Sequence, residues 1–171
     1  MVLCYIAVWT IVVTTGSIDL RPMKAHTHKT KPTLEETVFL DLLRTSDVLS
    51  RRIDYVLKNA DLSSNQYNVL RILRGAPEGL PCGEIGNRMI TRDPDITRLL
   101  DRLEKRGLVS RCRETKDRRM VLTRITSAGL KLLAELDEPV QQAHRKQLGH
   151  LGKERLKELS ELLQQSRSLE G

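Results

Sequence analysis

The residues best equipped for chemistry in this sequence are arginines. Ten of them (Arg88, Arg92, Arg98, Arg102, Arg106, Arg111, Arg113, Arg118, Arg119 and Arg124) stand between Asn87 and Arg124, joined by Lys105 and Lys116. Asp93, Asp95, Asp101, Glu104, Glu114 and Asp117 are the six acids there, so these 38 residues hold +6 of the chain's net +7. The chemistry on offer is anion binding, because the planar guanidinium fork matches a phosphate or a guanine edge. Charge runs are most often solvated surface. Two details weigh against that here. Arginine far outnumbers lysine, and the positives gather on two neighbouring elements, the polar face of one helix and the tip of one hairpin. A helix fits the major groove, and an arginine-tipped hairpin reaches the adjoining minor groove or its phosphates. Each phosphate neutralised steepens the log affinity–log salt slope by ~0.9, so a few such contacts make binding salt-sensitive.

No catalytic constellation accompanies this patch. The chain contains no GxGxxG, GxxxxGK[ST], HExxH or GxSxG, which removes the usual grounds for proposing an enzyme. Cys4, Cys82 and Cys112 have neither CxxC nor Cys/His ligand spacing, so a disulfide scaffold and a zinc finger are disfavoured and a reducing, cytoplasmic setting is expected. His26 and His28 lie in a polar tail, and His144 and His150, six apart, do not share a helix face. No metal or other cofactor is expected. At 171 residues the chain suits one ordinary domain or a small two-part fold. Aromatics are 3% of it, so the core must be mostly Leu, Ile and Val, and base-stacking platforms are disfavoured. The pI near 9.6 favours an anionic partner.

The elements that must position the arginines can be read from periodicity. Val2–Val13 is apolar apart from Thr10, too short and too β-branched for a membrane span and without the basic leader of a secretory signal. Met23 then opens a polar tail, and translation is expected to begin there, with a weak membrane anchor as the alternative; residues 1–32 are read as a non-native or disordered extension. Thr33-Leu-Glu-Glu36 predicts a reciprocal capping box. Behind it Leu34, Val38, Leu42, Leu49, Ile53, Val56 and Leu57 predict one long amphipathic helix over Thr33–Asn59, with more apolar face than a small domain needs. Ser63 and Gln66 predict a second cap pair, and Gly75 ends that helix. A short helix over about Cys82–Met89 turns Ile85 and Met89 inward, with Gly86 small enough for another helix to cross closely.

Asp93-Pro94 predicts the start of the basic helix, Asp93 as N-cap and Pro94 in its first position. Ile96, Leu99, Leu100 and Leu103 form its apolar stripe, Thr97, Arg98, Asp101, Arg102 and Lys105 lie opposite, and Gly107 closes it. Leu108–Arg113 and Met120–Ile125 predict a hairpin with a basic tip. Thr126-Ser-Ala-Gly129 opens another long helix, interrupted or bent at Pro139, and Lys153–Ser166 forms a last one with Leu156, Leu159, Leu162 and Leu163 on one side.

Together these residues resemble the MarR family of winged helix-turn-helix transcription regulators. The resemblance runs through Leu62-Ser-Ser-Asn-Gln-Tyr-Asn-Val-Leu70, Leu80-Pro-Cys-Gly-Glu-Ile-Gly86, Ile96-Thr-Arg-Leu-Leu-Asp-Arg-Leu-Glu-Lys-Arg-Gly-Leu-Val109, Asp117-Arg-Arg119 and Ile125-Thr-Ser-Ala-Gly129. It is the combination that is specific; no single piece would be. The implied fold is mainly α with a small β-hairpin wing. It consists of an N-terminal dimerisation helix (33–60), a winged helix-turn-helix (61–125) and C-terminal dimerisation helices (126–171). The implied recognition helix is Pro94–Arg106. Thr97, Arg98, Arg102 and Lys105 would then meet DNA, with Arg118 and Arg119 at the wing tip and Asp117 holding a wing arginine. Departures are Pro81 in place of a Ser or Thr cap, the carboxylates of Asp93 and Asp95 beside the DNA-facing end, and Ile125 in place of Leu.

The resemblance further implies a homodimer on a palindromic operator of double-stranded DNA. The expected role is that of a cytoplasmic repressor, without catalytic activity, released by an unknown small-molecule effector or an oxidant. Phe39, Tyr55, Tyr67 and Arg71 could line the effector pocket, each equally well read as core or surface. Cys82, at a helix N-terminus, is the redox candidate, although a free cysteine is more often an inert filler. Peroxide-sensing relatives carry their cysteine in the first long helix, where this chain has none. The alternative is a winged-helix protein-interaction module without specific DNA binding.

Overall fold

A computed structural model describes residues 31–91, 93–113 and 121–168. The N-terminal extension discussed above lies almost wholly outside them. Helix α1 (Leu34–Lys58) starts where Thr33 Oγ1 accepts from the Glu36 amide at 3.2 Å. The reciprocal half of the expected box is not formed. Thr37 instead donates its hydroxyl to the Thr33 carbonyl, so the cap is one-sided. Helix α2 (Ser64–Arg74) does carry a complete box, Ser63 Oγ accepting from Gln66 N at 3.2 Å while Ser63 N donates to Gln66 Oε1 at 3.0 Å. Its reach-back fixes the direction in which α2 leaves α1.

After α2 the chain forms a two-residue strand β1 (Leu80–Pro81) and a short helix α3 (Cys82–Arg88). Pro81 gives α3 no side-chain cap. Helix α4 (Ile96–Lys105) and strands β2 (Val109–Arg113) and β3 (Val121–Ile125) complete the centre. The sheet order is β1-β3-β2, all antiparallel, with Arg111 opposite Thr123 and Leu80 opposite Thr123 on the other side. The sequence gives no hint of β1, which is too short to show a period. Its partner Thr123 is buried as the middle strand requires.

Helix α5 (Ser127–Leu148) is joined by a 3-10 turn (Gly149–Leu151) to α6 (Lys153–Arg167). Of the two expected effects of Pro139, interruption does not occur: α5 runs through it. Pro139 and Glu135 are on the exposed side, where water can serve the carbonyl that the missing amide leaves free, while Leu136 and Val140 stay anchored in the core. Thr126 explains how α5 seats. Its hydroxyl donates to Gly107 O at 2.7 Å and accepts from Gly129 N at 3.1 Å. A Cβ on Gly129 would stand 2.4 Å from Leu108 O, so that helix turn can rest on the backbone only as glycine.

The core joins Leu57 of α1, Leu70 and Leu73 of α2, Ile85 of α3, Leu100 and Leu103 of α4 and Leu133 of α5, all essentially without solvent contact. Gly86 makes no close helix crossing, since a Cβ there would meet nothing within 4 Å. Outside this core, α6 has no buried residue, and α1 leaves Leu34, Val38, Phe39, Leu43 and Val48 exposed. Among the described residues no helix is long and apolar enough to cross a membrane.

Candidate nucleic-acid interface

Helix α4 is amphipathic along its length. Leu99, Leu100 and Leu103 are buried, while Thr97, Arg98, Arg102 and Lys105 are exposed on the other side. The core contact therefore fixes which face meets solvent, and that face carries three cations. The N-cap is Asp95, not Asp93: Asp95 Oδ1 accepts from Arg98 N at 3.2 Å. Its other oxygen lies 3.1 Å from Arg98 Nε, so this carboxylate serves the helix start.

Asp93 has a different task. One of its oxygens accepts from Asp95 N at 2.9 Å and the other from Asn65 Nδ2 of α2 at 2.8 Å. These two hydrogen bonds, the backbone one first, hold its carboxyl below the usual range, and the Arg102 charge adds a little. On the same approach, Asn68 Oδ1 of α2 accepts from Ile90 N at 2.9 Å. Two side chains of α2 thus set the loop that leads into α4.

The arginines are not equivalent. Arg111 of β2 reaches across to α4, its Nη2 2.5 Å from Asp101 Oδ1 and 3.4 Å from Thr97 O, and its Nε 3.7 Å from Glu104 Oε2. Its own amide donates to Glu104 Oε1 at 3.0 Å. Arg106 donates to the carbonyls of Ala60 and Asp61 at the end of α1. Arg124 donates to Glu78 O at 2.7 Å, and Arg88 pairs with Glu84 within α3. Among the described residues Arg102 and Lys105 form no ion pair and face water. Asp117, Arg118 and Arg119 lie outside the described residues, as do Arg92 and Lys116.

The aromatic candidates do not converge. Phe39 and Tyr55 are exposed on α1, at 57% and 73%, whereas Tyr67 is buried in α2. Burial raises the Tyr67 hydroxyl's pKa, with Arg71 pulling it back, Asp137 adding to the rise and Arg74 opposing it. The Arg71 guanidinium sits 5.8 Å from the Tyr67 ring centroid, so these two alone are neighbours. A cleft of about 270 Å³ opens elsewhere, between Val56 of α1 with Ala60 just beyond it and Leu132, Leu136 and Pro139 of α5. Periodicity could not find it, because it arises from two helices 76 residues apart in Val56 and Leu132. Cys82 is half-buried at the start of α3. Cys112, also half-buried, accepts from Arg124 Nη1 at 3.4 Å. Among the described residues no cluster of His, Cys, Asp and Glu could hold a metal.

Three helices around a small antiparallel sheet, with a basic helix presented in front of a hairpin, define a winged helix-turn-helix protein. The family model described as MarR family matches residues 62–121. FarR of Neisseria gonorrhoeae, an HTH-type transcriptional regulator, is 30% identical over 135 residues, 78% of this chain and 91% of the relative. The crystal structure of a MarR transcription factor from Planctomyces limnophilus is 43% identical, with a TM-score of 0.61 over 78% of this chain and 97% of that one. The S. aureus MepR–DNA complex, 21% identical, shares the fold with a TM-score of 0.68 over 81% of this chain and 98% of its own. The chain belongs to the MarR family, whose members are DNA-binding transcription regulators and not enzymes.

Proposed function

We propose that this protein is a homodimeric, sequence-specific repressor that binds a palindromic operator through α4 and the β2–β3 wing. The observation carrying this is the cationic face of α4, held outward by a buried leucine stripe on the opposite side. Thr97 and Arg98 would meet base edges, Arg102 and Lys105 the bases' edges or flanking phosphates, and Asp117, Arg118 and Arg119 would shape and arm the wing tip.

Dimerisation is supported by what the single chain leaves uncovered. A helix of α6's length with no buried side chain is marginal in water by itself. The exposed apolar faces of α1 and α6, with Phe39, Leu43 and Leu162 more than half exposed, are accounted for by a second copy packing along 33–60 and 126–171. Two α4 helices would then address successive half-sites about one DNA turn apart. The setting is the cytoplasm, where the chromosome is. Release would come from a small effector that favours a dimer shape with mismatched spacing. The α1–α5 cleft is the place that supports such a ligand; Tyr67 and Arg71 are near neighbours in α2, and Cys82 is the thiol an oxidant would address.

Selection of bound sequences from random duplexes tests the proposal. Enrichment of one inverted repeat supports it; recovery of unselected sequences contradicts it.

A further inference from the structure

We infer that Arg111 is a positioning residue that locks the wing to the recognition helix, and not a phosphate contact. The inference rests on the DNA-binding proposal above. By charge alone Arg111 belongs with the other arginines of the basic stretch. Its geometry sets it apart. The guanidinium spans from Asp101 Oδ1 at 2.5 Å to Thr97 O at 3.4 Å, with Glu104 Oε2 3.7 Å from Nε. Glu104 Oε1 takes the Arg111 amide at 3.0 Å. The side chain is 24% exposed, the most enclosed cation of the ion pairs described.

Three residues on successive turns of α4 are thereby joined to one residue of β2. Thr97 O belongs to the residue next to Arg98, so the clamp acts on the end of α4 that would read bases. Two carboxylates neutralise the guanidinium, which leaves it little attraction for phosphate. A planar, multi-donor fork is needed to serve a carbonyl and two carboxylates together, and a lysine ammonium cannot reproduce it. The corner between helix and wing turns at Gly107, which has φ +69° and no side chain, and is closed by backbone bonds from Gly107 N to Glu104 O at 2.8 Å and from Leu108 N to Leu103 O at 3.0 Å; Arg111 adds the side-chain tie farther along the strand. Loss of the clamp loosens the outer part of the strand against the helix, and a duplex must then fix that angle more fully itself on binding.

The test is a double-mutant cycle on the full chain with the selected operator duplex, using Arg111→Met, Asp101→Asn and the double variant. Each single variant is expected to weaken operator binding about tenfold, and the double variant no more than the worse single. Arg111→Lys, which keeps the charge, is expected to weaken binding as Arg111→Met does. Hydroxyl-radical footprints should lose protection in the flanking minor groove while protection at the half-site centre stays. Asp101→Asn binding as well as or better than wild type would overturn the inference. So would full rescue by Arg111→Lys, or a double variant equal to the product of the singles. Failure of the wild-type protein to bind the duplex sinks the DNA-binding proposal instead, which keeps the two outcomes apart.

Discussion

Asn65, in the first turn of α2, donates its side-chain amide to the Asp93 carboxylate at 2.8 Å. This bond ties the approach to α4 onto α2, across 28 residues of sequence. The same carboxylate takes the Asp95 amide, so one ionised group organises the turn in front of α4.

Asp93 should therefore leave a signature in pH. Its folded pKa is depressed, first by the Asp95 amide and then by Asn65. A depressed pKa contributes stability that is fully present above the unfolded value and is lost as pH falls through the folded one. Asp93→Asn should unfold at lower urea than wild type by a constant margin from about pH 7 to about pH 5, and that margin should shrink progressively as pH falls below the unfolded value of about 3.9. A margin that persists unchanged at about pH 3 would place the contribution somewhere other than the ionised carboxylate.

Two glycines with different constraints should respond differently to alanine. Gly107 has φ +69° with open space around its missing side chain, whereas Gly129 is helical and pressed against Leu108 O. Gly107→Ala should cost about 1 kcal/mol of backbone strain. Gly129→Ala must move α5 off the Leu108 backbone and should cost about 2–3 kcal/mol. Denaturant midpoints of the two variants give the ranking, and equal losses would contradict the close approach at Gly129.

Much of this fold was legible in the sequence, for reasons particular to each element. The leucine stripe of α4 and the Ser63/Gln66 box are written in spacings of three and four, which survive folding unchanged. Cap choice at α4 was not legible: Asp-Pro-Asp offers two carboxylates, and the choice was settled by Asn65, which claims the first of them. Strand β1 was invisible because two residues carry no period and are extended only by pairing with β3. The basic patch could be counted but not sorted. Whether an arginine faces solvent or a neighbour, as with Arg102 and Arg111, depends on a partner on another element.

The ion pair between Arg74 and Asp137 joins α2 to α5 through contacts of 3.0 and 2.8 Å. With side chains 36% and 48% exposed, it should add little. Arg74→Met should cost about 0.5 kcal/mol, whereas Leu103→Ala, at a position without solvent contact, should cost about 3 kcal/mol. Chemical unfolding of both variants decides whether core packing or this bridge contributes more to stability.

On DNA, Arg98→Ala should weaken binding to the operator by about 1–3 kcal/mol and relax sequence preference. Arg119→Ala should lower affinity evenly across sequences and reduce the salt slope by about 1. Equilibrium titrations of operator and scrambled duplex at several salt concentrations separate these patterns; an even loss for Arg98→Ala would remove it from base contact.

The most direct measurement is a sedimentation titration of a labelled inverted-repeat duplex and its scrambled counterpart with the purified protein, at low and physiological salt. The expected result is a complex of two chains per duplex, at least a thousandfold tighter on the inverted repeat at physiological salt. A single subunit that leaves double-stranded DNA unbound even at low salt would contradict the central claim.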